Sequence, residues 1–567
     1  MMSYNQNKTL EDLKLLQETI NHIKLQISIL KDIQIRNLQE DNNNNNTGIE
    51  EGNNNDYYYS SGDTAWMIFA TILVIFMTLP GIMIYYAGMV RLQNALSTAM
   101  QGFGLVCVIT FLWLCFGYSL SFGPSHSKDV NAVIFGDSSR FWLHGIYHSN
   151  TYHDLAPTIP ESVFCCFQLA FAIITPTLIC GAFADRMKYL SVLISLGLWH
   201  LVVYCPIAHS NWHPDGFLHK AGVLDFAGGN VVHISAGVSA LVSAIIVGKR
   251  GQRDKEKDNK EKEKDNKDKE KDDKEEENED IDETKEEVKE HQVEIKIKIE
   301  KEKESKKEKE RDANLLKFLP HNLLLSLVGS CFLIVGWFGF NAGSAFGANG
   351  LAGFSMINTL ISSALASLSW MTCDILRTGK PTLDGVMNGF IAGLVGITPA
   401  AGFVTPSGSF VIGIITGGVC CFGVKIKDIF DFDDSLDAFG IHAIAGVVGG
   451  ILTGLLANER IGGQDGAFHG SGHQLGIQIY GIVVTIGWSA VGTFLVMYLV
   501  DKTFGLRVDK NTEEAGTNKM IGGSLTAHAT KMLPRQERLF RLYCCCCVIT
   551  PKSNSASTET TVPTGEL

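Results

Sequence analysis

The chain has 567 residues, of which 46% are hydrophobic and 19% are charged, and its formal net charge is -12. The charges are unevenly spread, because residues 251–310 hold 19 Lys and Arg and 26 Asp and Glu, or 45 of the 108 charged residues. The other 507 residues carry 63 charges, roughly 12%, about half the proportion of an ordinary soluble domain. This contrast excludes a single soluble domain and predicts a membrane body that carries a charged insert. The negative charge disfavours a nucleic-acid partner.

The first 62 residues divide into an apolar-periodic part and a polar part. Leu13, Leu16, Ile20, Ile23, Ile27 and Leu30 follow alternating steps of three and four residues. Within residues 1–38, this spacing is typical of a short coiled coil and equally of an amphipathic helix that lies against another surface. Residues 39–62 are rich in Asn and predict a polar linker. We expect no cleaved signal peptide, because a short apolar core with a small-residue cleavage site is missing.

Apolar stretches recur from Thr64 onward, and each is long enough to cross a hydrocarbon core of ~30 Å as a helix. The eleven predicted spans are 64–90, 99–122, 161–184, 189–209, 226–248, 320–343, 351–376, 383–400, 408–424, 438–458 and 475–500. Spans 1–5 fall in residues 63–248 and spans 6–11 in residues 314–503. Helices are the open-chain way to satisfy the backbone in lipid, so we predict an all-α polytopic membrane protein. Glycine pairs four residues apart, such as Gly389 with Gly393, predict close helix contacts.

Orientation follows from Lys and Arg near the ends of the spans. One set of short segments holds eleven of these residues and the opposite set holds four. This imbalance predicts an N-terminus that is outside or luminal. The charged insert, residues 249–313, and the tail, residues 504–567, are then cytosolic. The insert is interpreted as a tether or docking segment, or as a low-complexity expansion without function, and either as a solvent-exposed helix or as disordered chain.

The positions of the fourteen cysteines do not indicate a disulfide framework. Ten lie in apolar runs and are predicted to be small buried residues. The other four, Cys544, Cys545, Cys546 and Cys547, follow Arg538 and Arg541 in the tail. Cysteines beside basic residues in a cytosolic tail are typical of S-palmitoylation sites, which we state as a hypothesis. No cysteine pairs have zinc-type spacing, so we predict neither a metal site nor a cofactor.

Two histidines lie inside predicted spans, where ionisable groups are costly and mark pathways or proton relays. His233 follows Asp225 in the fifth span and His442 follows Asp437 in the tenth. Each Asp is predicted to be a structural N-cap of its helix. Because the two histidines are five spans apart, we predict two related halves of opposite topology with a site at their interface.

Five blocks of sequence carry a resemblance to a known family. They are residues 181–186 (Gly-Ala-Phe-Ala-Asp-Arg), 225–237, 336–344 (Gly-Trp-Phe-Gly-Phe-Asn-Ala-Gly-Ser), 379–383 (Gly-Lys-Pro-Thr-Leu) and 437–446. In this order they resemble the ammonium transporters (Amt/Mep/Rh), and the ammonium transporters more closely than the Rhesus proteins, over residues 63–508. The resemblance implies eleven helices with an inverted 5+5 repeat, one pore per subunit and a homotrimer. Asp185 stands where the family commonly has Glu, and the insert has no counterpart.

The resemblance also implies roles for individual residues. Trp212, Phe171 and Ser344 match an outer site that recruits ammonium. Phe171 and Phe340 match a stacked pair that closes the pore below this site, and Phe167 and Trp337 match residues that line it nearby. His233 and His442 match twin histidines that share a hydrogen bond in an apolar lumen.

These residue types suit ammonium, which resembles potassium in size but donates hydrogen bonds and can lose a proton. The prediction is therefore a transporter, not an enzyme, that recruits NH4+ (or methylammonium), deprotonates it and passes NH3 along the twin histidines. We favour net transport of NH4+ over a channel for NH3 gas, and the NH3 channel is kept as an alternative hypothesis. A second hypothesis is an ammonium sensor that signals through the insert and tail to a cytosolic partner. The membrane is predicted to be the plasma membrane or an endosomal or vacuolar one.

Overall fold

The computed structural model describes residues 59–123, 134–146, 151–250 and 319–520. Ten apolar helices in these ranges have the length to cross a membrane, and an eleventh apolar helix is shorter. The helices are α1 (Ser61–Met89), α2 (Leu92–Phe122), α3 (Glu161–Ala182), α4 (Tyr189–Lys220), α5 (Gly229–Val247), α6 (Leu323–Gly343), α7 (Gly350–Thr378), α8 (Leu383–Ile397), α9 (Pro406–Ile429), α10 (Phe439–Leu456) and α11 (Gly472–Thr503). Across the same ranges the structure forms no strand, only two isolated β-bridges. The predicted all-helical, multi-pass membrane architecture is confirmed.

Several predicted features lie outside the described residues. These are the N-terminal periodic segment 1–38, nearly all of the Asn-rich linker, the insert from residue 251 to its predicted end at 313, and the tail from residue 521, which includes Cys544–Cys547. They stay sequence-based predictions.

Side-chain caps explain where many helices begin. The Ser60 hydroxyl accepts from the Asp63 N–H at 3.2 Å at the start of α1. Asn349 caps α7 through the Ala352 N–H at 3.0 Å. Thr382 and Thr405 cap α8 and α9 in the same manner. Each cap satisfies one of the backbone donors that a helix leaves free at its N-terminus.

Glycines let α7, α8 and α9 approach closely, as the four-residue spacing predicts. A Cβ on Gly393 would lie 2.6 Å from the Ser362 carbonyl oxygen, and a Cβ on Gly413 or Gly417 would clash with the backbone of α7. A similar contact joins α5 to α10, where a Cβ on Gly237 would clash with the backbone of Ala443. Such small-residue contacts bring helix backbones together where lipid supplies no hydrophobic drive.

The predicted burial of the ten cysteines is wrong for a subset of them. Cys107, Cys166 and Cys331 are exposed on the helix surface, Cys373 is half-buried and the others are buried. All ten are free thiols. In a membrane protein an outward-facing thiol contacts lipid, so an apolar run does not distinguish the interior of the bundle from its lipid-facing surface.

The two ends of α4 define two faces of the bundle, named here the Trp212 face and the C-terminal face. At the C-terminal face, residues 504–520 pack against the bundle. The Val508 N–H donates to the Arg186 carbonyl at 2.9 Å, and the Thr517 N–H donates to Asn94 Oδ1 at 2.8 Å. α2 begins at Leu92, before residue 99 where its predicted apolar span starts, and the C-terminal segment contacts the buried Asn94 in its first turn.

A buried ion-pair cluster joins three connections at this face. Asp433, in the connection between α9 and α10, pairs with Arg186 at 2.8 Å and with Arg250 at 2.6 Å. Arg250 also pairs with Asp185 at 3.2 Å. Burial by itself raises the pKa of Asp433, but the charges of Arg186 and Arg250 outweigh burial and hold this pKa below its usual value. Arg250, the second residue of the charged insert, is therefore held in place at this face.

Candidate functional site

A cavity of about 280 Å³ opens at the Trp212 face, and the three predicted recruitment residues all line it. The Trp212 indole N–H donates to the Asp225 carbonyl oxygen at 2.9 Å, which fixes the ring. The Ser344 hydroxyl donates to the Phe340 carbonyl at 2.9 Å. Because its proton is committed, the Ser344 oxygen faces any ligand as an acceptor. Trp212 and Phe171 meet edge to face, with centroids 5.9 Å apart.

Asp225 is buried beside this cavity and holds the N-terminus of α5. Its carboxylate accepts from the backbone N–H groups of Gly228, Gly229, Asn230 and Val231, three of them at 3.0–3.1 Å. This is the geometry of the N-cap that the sequence predicts. Burial raises the pKa of Asp225 to about 6, and the four backbone hydrogen bonds oppose that rise.

The floor of the cavity is an aromatic stack. Phe171 and Phe340 lie nearly parallel, 24° apart, with ring centroids separated by 4.2 Å. Both rings are fully buried, and Phe167 contacts Phe171 at a centroid distance of 4.9 Å. Two rings in contact leave no room for a hydrated cation between them, so this pair forms an apolar constriction.

The two histidines lie beyond the constriction. The His233 ring stacks on Trp337, with centroids 5.3 Å apart, and lies 6.0 Å from Phe340. His442 follows, with its ring 5.4 Å from that of His233 and 16° from parallel. The structure thus brings Trp212, Phe171, Phe340, Trp337 and the histidine pair into one continuous series.

The expected hydrogen bond between the histidines is not formed in the structure. Nδ1 of His233 and Nδ1 of His442 each lack a hydrogen-bond partner, and so does Nε2 of His233. Both imidazoles therefore present unsatisfied polar atoms inside an apolar passage.

Each histidine lies in a π-helical turn, a feature for which the sequence carries no signal. His233 lies in Gly229–Ile234, and its N–H donates five residues back to the Gly228 carbonyl at 3.0 Å. His442 lies in Phe439–Ala443. Such wide turns are rare in proteins and are frequent at functional sites. The described residues contain three more of them, Met77–Ile82, Trp113–Gly117 and His200–Tyr204, so the turn is not particular to the two histidines.

The N-cap predicted at Asp437 is wrong. Asp437 adopts a left-handed backbone conformation with φ of 59°, and its carboxylate pairs with Lys427 at 2.6 Å. The Phe439 N–H donates instead to Asp434, at 2.8 Å. Burial, together with the nearby charge of Asp437, raises the pKa of Asp434 to about 6. Asp434 therefore caps α10 from five residues before Phe439, the residue whose N–H it accepts. Asp225 likewise lies five residues before Asn230, one of the residues that it caps in α5.

Sequence reasoning missed six polar or aromatic residues that line the cavity, namely Gln168, Asn211, His219, Phe226, Phe346 and Phe403. Gln168 is buried, and its Oε1 has no hydrogen-bond partner, so a second acceptor oxygen besides that of Ser344 belongs to the cavity lining. Asn211 accepts from the Asn230 amide at 3.1 Å and links α4 to α5. The signal for Gln168 was its place between Phe167 and Phe171 on α3.

A helical membrane bundle with an aromatic, oxygen-bearing cavity above an apolar passage is a transporter or channel for a small polar solute. The sequence profile described as Ammonium Transporter Family matches residues 65–267 and 301–524. The chain belongs to the ammonium transporter family.

Individual relatives agree with this assignment. An ammonium transporter of Bacillus subtilis is 37% identical over 466 residues, covering 82% of this chain and 97% of the relative. The crystal structure of Candida albicans Mep2 is similar at 29% identity with a TM-score of 0.64, covering 80% of this chain and 87% of Mep2. A solved structure entitled Sensor Amt Protein matches at 25% identity and a TM-score of 0.64, with 82% and 98% coverage.

These matches confirm the predicted family, ammonium transport and membrane location. They also locate what is particular to this chain. The unmatched residues 268–300 fall within the predicted insert 249–313, so the centre of the insert has no counterpart in the family profile.

Proposed function

We propose that the chain captures NH4+ in the cavity at the Trp212 face, removes a proton there, and passes NH3 through the phenyl pair to the histidines. The observation that carries this proposal is the unbroken series of rings from Trp212 to His442, with the acceptor oxygens of Ser344 and Gln168 in the cavity at its entrance. A charged solute is favoured at the entrance and a neutral one beyond it.

Capture relies on two kinds of contact. The faces of Trp212 and Phe171 attract a cation by about 0.5–1 kcal/mol when exposed and ~2 kcal/mol when water is excluded. The oxygens of Ser344 and Gln168 accept N–H bonds, which potassium does not donate. The ionised Asp225, one layer behind Trp212, adds a negative charge that favours the cation.

Deprotonation follows from the cost of the next step. Moving an unpaired cation between Phe171 and Phe340 removes it from water without a compensating partner, which costs far more than the entrance contacts return. An amine cation titrates near 10.4, and desolvation lowers such a value by up to about 3–5 units. Loss of the proton near neutral pH therefore removes the barrier.

His233 and His442 then hold the neutral molecule. A neutral imidazole offers one donor and one acceptor nitrogen, and ammonia needs both. The unpartnered nitrogens of the two rings supply these groups in a passage otherwise walled by Trp337 and Phe340. We propose that the released proton also passes along the two histidines, whose ring centroids lie 5.4 Å apart. In that case the net transported species is ammonium and the process is electrogenic.

The assembly proposed for this function has eleven membrane crossings, with α8 as the shortest, an inverted repeat and one pore per subunit of a homotrimer. Family membership and the five-span spacing of His233 and His442 support the repeat. The Lys and Arg distribution supports a C-terminal face in the cytosol and a Trp212 face outside, or in the lumen of an endosomal or vacuolar compartment.

Acylation of Cys544–Cys547 is a further part of the proposal. These residues lie outside the described structure, and the support is their sequence setting after Arg538 and Arg541. Labelling with a fatty-acid analogue in the parent chain and in a variant with all four changed to Ser tests it: equal labelling of the two refutes acylation at these positions.

Methylammonium uptake tests the transport proposal. In cells that lack their own ammonium transporters, the chain should support uptake that ammonium competes for. The double variant His233→Ala with His442→Ala should change its rate or selectivity. His473→Ala is the matched control, because His473 is an exposed histidine on α11. Absence of uptake by a correctly inserted parent chain would refute transport.

The alternative is an ammonium sensor, favoured by the likeness to the solved sensor Amt protein. A sensor keeps the cavity and signals through the insert and tail. In the same cells, an ammonium-dependent response without flux would favour the sensor, whereas flux whose rate or selectivity changes in the double histidine variant favours the transporter.

A further inference from the structure

An apolar cleft at the C-terminal face has no role in the proposed pathway. It has a volume of about 550 Å³ and lies between the end of α5 and the connection from α9 to α10. Its apolar walls are Leu241, Ile245, Ile426, Phe430, Phe432 and Phe439. We call it the Phe430 cleft.

The Phe430 cleft lies at an aqueous boundary and is uncovered in the described part of the chain. Phe430 exposes 74% of its surface and Ile245 exposes 59%. Lys249, Asp431 and Asp433 line its rim, and Lys249 forms an ion pair with Asp431. Charged side chains do not lie among lipid tails, so the rim places the opening of the cleft at the membrane surface. An exposed aromatic surface at that position is typical of an interaction site.

The charged insert starts at this rim. Gly248 and Lys249 line the Phe430 cleft, and the next residue, Arg250, is held by Asp433, another rim residue, at 2.6 Å. Arg250 also donates its backbone N–H to the Asp433 carboxylate at 2.9 Å. Arg250, where the described chain stops before the insert's central part, is therefore fixed at the rim of the cleft.

The sequence of the insert contains one segment that suits an apolar cleft. Only six of residues 251–310 are apolar, and four of these, Val293, Ile295, Ile297 and Ile299, alternate with charged residues. In an extended chain, alternate residues point to the same side, so these four form one aliphatic edge and Glu294, Lys296, Lys298 and Glu300 form the polar edge. The segment lies in residues 268–300, which the family profile does not match.

We propose that residues 293–299 bind in the Phe430 cleft of the same chain, with the aliphatic edge on the apolar wall and the charged edge toward water. The 42 residues between Arg250 and Val293 span up to ~140 Å, so the connection imposes no limit on reach. Closing a loop of this length costs little more than closing a shorter one, and the tether gives the segment a high effective concentration. The insert is therefore a docking segment and not merely an expansion.

Photo-crosslinking in the full-length chain tests the proposal. Phe430 is replaced by p-benzoylphenylalanine, the protein is irradiated in its membrane, and the crosslinked peptides are sequenced by mass spectrometry. We expect crosslinks into residues 293–299. The same replacement at Phe494, an exposed residue of α11 remote in sequence from the cleft, serves as the control and should give none. Mixing isotope-labelled and unlabelled copies shows whether the crosslink lies within one chain.

Two matched double variants separate the two edges of the segment. Ile295→Ser with Ile297→Ser should lower the crosslink yield at least about tenfold, because aliphatic burial drives the binding. Glu294→Ser with Lys296→Ser should leave the yield unchanged. Crosslinks to lipid, to a second copy, or to another segment would overturn the proposal, as would equal yields in the two variants. None of these residues belongs to the ammonium pathway, so the outcome is independent of the transport test.

Discussion

Replacing Asp225 by Ala removes one carboxylate that satisfies four buried backbone N–H groups at the start of α5. Loss of an N-cap costs about 0.5–2 kcal/mol. Each buried donor left without a partner costs a further ~1–3 kcal/mol. Water from the adjacent cavity reaches part of the site, so the expected loss in the free energy of unfolding is about 3–6 kcal/mol and not the full sum. Asp225→Asn keeps one acceptor oxygen and should lose about half as much.

Thermal melting of the purified protein in detergent measures this loss. We expect Asp225→Ala to melt at least about 5 °C below the parent chain, with Asp225→Asn between them. Asp215→Ala is the matched control, since Asp215 is a half-exposed carboxylate on the same face that pairs with Lys220, and an exposed pair contributes at most ~1 kcal/mol. If Asp225→Ala melted at the same temperature as the Asp215→Ala control, the assigned role of the four hydrogen bonds in stabilising α5 would be refuted.

Four further substitutions have predicted effects. His233→Ala and His442→Ala should each alter the rate or selectivity of methylammonium uptake while leaving the melting temperature within a few degrees; unchanged transport in both would refute their place in the passage. Trp212→Leu should raise KM for ammonium about 2- to 30-fold, the equivalent of ~0.5–2 kcal/mol of cation-π attraction, and an unchanged KM in uptake assays counts against the capture site. Asp433→Asn should destabilise the protein by up to about 3 kcal/mol, because Arg186 and Arg250 both lose a buried carboxylate partner. Since the folded pKa of Asp433 is lowered, this contribution is present above about pH 4 and is lost as pH falls below it, so the melting difference from the parent chain should shrink in acid.

The helical bundle and the pathway residues were predictable because each has a local signal. Apolar runs of membrane length gave the spans, and the predicted third span, 161–184, agrees with α3, Glu161–Ala182. An ionisable side chain within such a run has a high free-energy cost, so His233 and His442 could be recognised as a pair of functional candidates. Their meeting in space also follows from Gly237, which allows α5 to touch α10.

Features set by tertiary contact were not predictable. Asn94, in the first turn of α2, accepts a hydrogen bond from Thr517, and hydropathy carries no record of a partner 423 residues away. Asp437 has the residue type and position of a cap, yet its left-handed backbone turns it to Lys427, and Asp434 caps the helix. Gln168 was missed because a single amide in an apolar helix has no motif.

The central claim is that this chain carries ammonium through an apolar passage by separating the proton from ammonia at the entrance and conducting both. The most direct measurement is the current that an ammonium gradient drives across liposomes containing the purified chain, compared with a potassium gradient. We predict a current with ammonium that is absent with potassium and absent from the His233→Ala, His442→Ala double variant. Ammonium currents no larger than those of protein-free liposomes would contradict the account.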